Sequence, residues 1–70
     1  MINPTLEFVL QNGNEHFYVE GGERPVGEVF KASRYSTFKD AASHIKTFLK
    51  QNDGVEVFVR PVQLTVLLLD

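Results

Sequence analysis

Cysteine and tryptophan are both absent from the 70-residue chain. Without a thiol there is no disulfide staple, thiolate metal site, iron–sulfur cluster or thiol nucleophile. Histidine is nearly absent too. His16 and His44 fall on different elements, no carboxylate recurs at a metal-ligand spacing, and both read as solvated surface residues. Neither a metal nor a cofactor is expected. Long apolar runs are also missing: the longest is Val66 to Leu69, far short of the roughly 20 residues of a membrane-spanning helix. The opening Met-Ile-Asn-Pro-Thr has neither the basic nor the apolar region of a secretory signal. A cytoplasmic protein with no membrane contact is therefore the expectation.

What is present describes a small folded domain. The 43% apolar and 23% charged content suits a globule and is too apolar for disorder. A chain this short buries only about 60% of the surface it exposes when unfolded. Without disulfides or metal, a well-packed core or a second subunit must supply its stability. The net charge of −2 hides an uneven distribution. Residues 31–50 carry five cations against Asp40 alone, whereas the rest carries Arg24 and Arg60 against eight acids.

The run TLEFVLQ alternates, with Leu6, Phe8 and Leu10 on one side and Glu7, Val9 and Gln11 on the other. Asn12-Gly13 follows, a strong hairpin signal, and EHFYVE alternates again. A two-residue loop sets Phe8 opposite Phe17 and Leu6 opposite Val19. Val9 then meets His16, and Glu7 meets Tyr18. A four-residue loop, Asn12 to Glu15, keeps the same faces. Phe17 and Val19 are thus expected inside, and Tyr18 outside. GGERPVG reads as a connector, not a phosphate loop, because it lacks the lysine and hydroxyl ending and no helix follows. EVFKAS reads as a third strand with Phe30 and Ala32 inward and Val29 outward.

STFKDAASHIKTFLKQNDG reads as the helix. Thr37 caps it, with Asp40 three residues on as a capping-box-like partner. Phe38, Ala41, Ala42, Ile45, Phe48 and Leu49 form its apolar stripe, and Asn52-Asp53-Gly54 stops it. In VEVFVRP, Val55, Val57 and Val59 face the helix and Glu56, Phe58 and Arg60 face away. Pro61, lacking an N–H, is expected to break the ladder. VQLTVLLLD then forms a separate strand. Its Leu67 and Leu69 make one end apolar on both sides, as at a subunit interface.

These elements predict a single α+β domain over residues 1–70. Its antiparallel sheet, ordered β-β-β-α-β with an additional C-terminal strand, packs on one α-helix. That order resembles several small β-β-β-α-β domains, including those of HicB-type antitoxins, in architecture alone. No hydroxyl among Ser33, Ser36, Thr37 and Ser43 has an evident base and enclosing pocket, so the chain reads as a non-enzyme. The expected function is regulatory protein binding, inhibitor- or antitoxin-like, by a homodimer that uses the outer sheet face and final strand. Tyr18, Phe58, Leu67 and Leu69 are its anchors. The alternative is contact with nucleic acid or an acidic partner through Lys39, Lys46 and Lys50, which share one face of a continuous helix.

Overall fold

The computed structural model describes residues 3–51 and 54–66 and is organised around one long antiparallel ribbon. β1 (Asn3–Asn12) pairs along its whole length with β2 (Val57–Val66), from Asn3 opposite Val66 to Asn12 opposite Val57. Between them come a 3-10 turn (Val29–Lys31) and two short helices, α1 (Phe38–Ala42) and α2 (Ile45–Gln51). The alternating pattern of both strands turns Phe8, Leu10, Val57 and Val59 towards the helices. There Leu10, Tyr18, Tyr35, Ala41 and Phe48 form the buried core, flanked by Phe8, Ile45, Val57 and Val59. The outline is elongated, 46 × 23 × 20 Å.

The expected β-β-β-α-β order with an extra strand is not what forms, and the architectural resemblance drawn from it falls with it. EHFYVE contributes only isolated bridges, Gln11 to Phe17 and Phe17 to Val26. The third expected strand is instead the 3-10 turn, which leaves Phe30 69% exposed although Ala32 is buried. Gly21, with φ of 77°, sits in the turn that returns the Gly22 amide to the Val19 carbonyl. That conformation suits glycine and fits the connector reading.

The hairpin register explains why Tyr18, expected outside, lies inside. Asn12 donates to the His16 carbonyl at 2.8 Å, which leaves a loop of Gly13, Asn14 and Glu15. The Glu15 amide returns to the Asn12 carbonyl at 3.0 Å, and Glu15 adopts φ of 63°. This is the type I turn followed by a left-handed residue that characterises three-residue hairpin loops. Loops of two or four residues preserve one facing, whereas three reverses it. Tyr18 therefore sits beside Leu10 and turns inward at 2% exposure, while Phe17 pairs with Gln11 on the outer face.

Asn12 holds this loop. It is 4% exposed, and its side-chain oxygen accepts from the Asn14 and His16 amides at 2.9 and 3.0 Å. Asn12→Ala strips both amides of their acceptor and should cost about 1–3 kcal/mol. Urea titration followed by circular dichroism measures the loss. A change below a few tenths would show that the loop does not depend on this side chain.

Pro61 does not break the ladder, and β2 runs through it as one strand with the segment expected to be separate. Gly13 donates to the Glu56 carbonyl at 2.9 Å, which sets the antiparallel alternation. Odd-numbered β1 residues bond β2, and even-numbered ones turn to the opposite edge. There Phe8 exchanges bonds with Tyr35 at 2.8 and 2.9 Å, and Leu10 accepts from Tyr18 at 3.0 Å. Pro61 lies opposite Phe8, so its nitrogen points away from β1 and forfeits no bond of this ribbon. β1 is consequently an inner strand, and both Val9 and Leu10 are fully buried although they lie on opposite faces.

Thr37 caps α1 as expected, its hydroxyl accepting from the Asp40 amide at 3.1 Å. The helix then breaks at Ser43 and His44. Ser43 donates its hydroxyl proton to the Asp40 carbonyl at 2.6 Å, a side-chain bond that competes with helix continuation. Ala41 and Phe48 are buried as expected, but Phe38 and Leu49 remain 58% and 42% exposed.

Candidate partner-binding face

The outer face of the ribbon is built from alternate residues. Val9 stands opposite Arg60 and Gln11 opposite Phe58 on neighbouring strands, while Phe17 and Val26 extend the face beyond Gln11. Such cross-strand and diagonal neighbours lie within reach of long side chains. Arg60 uses that reach twice. Its Nε donates to Gln11 Oε1 at 3.1 Å, and its guanidinium carbon lies 5.5 Å from the Phe58 ring centre. The first contact orients the cation and the second sets it against the aromatic face, an attraction of about 0.5–1 kcal/mol at exposed sites. Phe58 is 39% exposed, Phe17 and Val26 are half-buried, and Val9 closes the floor. At the rim, Arg34 Nε stands 4.0 Å from Glu7 Oε1, a loose pair that adds little stability.

Of the residues expected to bind a partner, Phe58 lies on the outer face as read from the alternation. Tyr18 does not. At 2% exposure, packed 5.2 Å from Phe48 ring to ring, it belongs to the core and offers a partner no surface. Leu67 and Leu69 lie outside the described residues. Lys39, Lys46 and Lys50 are all exposed, but Lys39 is on α1 and the other two are on α2, across the helix break. Lys39 lines a shallow open depression with Thr37, Asp40 and Ser43. The parts of the face that sequence reading missed are Phe17, Val26 and the Arg60–Gln11 bond. Phe58 and Arg60 were visible as same-face neighbours two residues apart, whereas Gln11 required the β1–β2 register.

His44, read as solvated, is half-buried and stacks on Tyr35 with ring centres 4.6 Å apart. Its place at the helix break, rather than on a continuous polar face, accounts for this. Tyr35 is 6% exposed, and no well-formed hydrogen bond reaches its buried hydroxyl. Burial foremost, then the negative charge of Glu20, pushes its pKa from 10.0 to about 12, with Ser33 opposing part of the rise. Below pH 10 the phenol is protonated in both folded and unfolded chains. Between 10 and 12 only the unfolded chain releases the proton, so stability falls as pH rises through this window. Tyr35→Phe should lose that component of alkaline sensitivity while changing stability at neutral pH by no more than about 1 kcal/mol. Urea midpoints at pH 7 and pH 11 check both effects, and a parallel loss of stability in parent and variant would contradict them.

Among the described residues, no three histidine, cysteine, aspartate or glutamate side chains converge as a metal would require. No helix among them is long and apolar enough to cross a membrane. No protein-family model matches the chain, and no match is found among curated proteins or solved structures.

Proposed function

We propose that the protein is a small non-enzymatic binding module of inhibitor or adaptor type, which works as a homodimer and presents its outer ribbon face to a protein partner. The observation that supports this reading is the Phe58–Arg60–Gln11 arrangement: a partly exposed aromatic ring and a guanidinium held together on a strand pair. Aromatic residues and arginine dominate the energetics of protein interfaces, and a side chain already fixed in place loses less entropy on binding. Phe17 and Val26 widen the apolar centre, and Glu7 and Arg34 supply a charged rim.

The test is affinity capture from the native host, followed by calorimetry of the purified partner with parent, Phe58→Ala and Arg60→Ala proteins. Each substitution should weaken binding about tenfold or more while leaving the circular dichroism unchanged. Unaltered affinity in both variants would remove the outer face from the interface. Nucleic-acid contact through Lys39, Lys46 and Lys50 is the competing outcome. It requires a mobility shift of DNA or RNA that fades steeply with salt and is lost in Lys46→Glu.

A further inference from the structure

β2 carries the open edge of the ribbon. Odd-numbered β1 residues bond even-numbered β2 residues, so β1 takes the backbone groups of Phe58, Arg60, Val62 and Leu64. Those of Val57, Val59, Gln63 and Thr65 turn the other way, with Pro61 in the middle of the row. Among the described residues, no backbone bond from another element reaches this row, whereas Tyr18 and Tyr35 take the far edge of β1. Such an edge is a template for a further strand, and proteins blunt it by shortness, bulges, charge, proline or cover. The first three are missing here. β2 runs for 10 residues, against about 5–6 for an average strand. Its register with β1 is unbroken, so no bulge twists it away. Arg60 is its one charged residue, and that side chain reaches towards β1, to Gln11, and not over the open edge. Proline remains.

We propose that Pro61 guards this edge: it keeps β2 from accepting a second strand, above all the same edge of another copy of the chain. The residue has no N–H to donate, and its ring carbon occupies the place where a neighbouring carbonyl would approach. A strand laid along β2 can bond Val57 and Val59, or Gln63 and Thr65, but cannot bond across the middle. Only an outward nitrogen lets proline enter β2 without forfeiting a bond to β1. One residue to either side, at Arg60 or Val62, it would remove a bond that holds the ribbon together. The rest of Val57–Val66 is rich in valine and nearly uncharged, a composition that pairs with itself when nothing interrupts it. The guard depends neither on the homodimer of the proposed function nor on the partner at the outer face.

Pro61→Val tests it, because valine restores the missing donor with a residue suited to strands. Sedimentation velocity at rising micromolar concentration should show this variant associating beyond the parent's own state. The described residues give each chain one such edge. The mass should therefore double if the parent is a monomer, and keep climbing if the parent is a dimer carrying two edges. Amide exchange should find Val57, Val59 and Gln63 unprotected in the parent and protected in the new assemblies. The control is Pro61→Val prepared by chemical synthesis with a methyl group on the nitrogen of residue 61. It has the valine side chain without the N–H and should keep the parent's mass. Association of both variants would overturn the proposal, because the side chain or the lost rigidity of proline would then be the cause. A Pro61→Val protein that keeps the parent's mass, or a parent whose outward amides are already protected, would overturn it as well.

Discussion

Phe48→Ala should leave the protein largely unfolded at room temperature. Phe48 is fully buried at the centre of α2, its ring 5.2 Å from that of Tyr18 and in one cluster with Leu10, Tyr35 and Ala41. Truncating such a phenylalanine costs about 3–5 kcal/mol in transfer energy and residual cavity. A single core in a chain of about 70 residues rarely supplies more than about 3–5 kcal/mol, so the loss is comparable to the whole stability. The adjacent Leu49→Ala removes a side chain that is 42% exposed and should cost no more than about 1 kcal/mol. Thermal melts by circular dichroism separate the two. A Phe48→Ala protein that melts within a few degrees of the parent would place the core elsewhere.

Tyr18→Ala is the second severe substitution, and its contrast with Phe17→Ala reads the hairpin register directly. Tyr18, 2% exposed against Leu10 and Phe48, should lose about 3–5 kcal/mol on truncation. Phe17, half-buried on the outer face, should lose about 1–2 kcal/mol. Loops of two or four residues would reverse the order, because they turn Phe17 inward. Urea unfolding of both variants therefore distinguishes the three-residue loop from its neighbours in length. Equal losses would mean that neither facing is strictly kept.

The sequence was most legible where a local rule acts alone. Thr37 as cap, the alternation that sends Val57 and Val59 to the helices and Phe58 and Arg60 away, and the burial of Ala41 and Phe48 are all set within a few residues. Tyr18 lies inside and not outside because a period of two fixes which residues share a face but not which face is inside. That choice rested on the non-glycine residue Glu15 entering the left-handed region, a conformation that costs about 1–2 kcal/mol and carries no strong sequence signal. Phe30 looked like a core residue because it is large and apolar, yet the 3-10 turn presents it to solvent. Pro61 suggested a break because sequence does not reveal which side of a strand will be the edge. Likewise, the outward placement of Phe58 follows from alternation, but the bond that orients Arg60 spans 49 residues and appears only with the register.

The Asn12-Gly13 pair has a chemical consequence as well. Asparagine followed by glycine is prone to deamidate, because the glycine nitrogen can swing onto the side-chain carbonyl carbon and close a succinimide. Here both reactants are restrained. The Gly13 amide is engaged by the Glu56 carbonyl at 2.9 Å, while the Asn12 side-chain oxygen is held by the amides of Asn14 and His16 in a site 4% exposed. Ring closure must wait until the hairpin opens, so the rate of isoaspartate formation becomes a clock for local unfolding. A protein aged in buffer would record in its own covalent structure how often this loop comes apart.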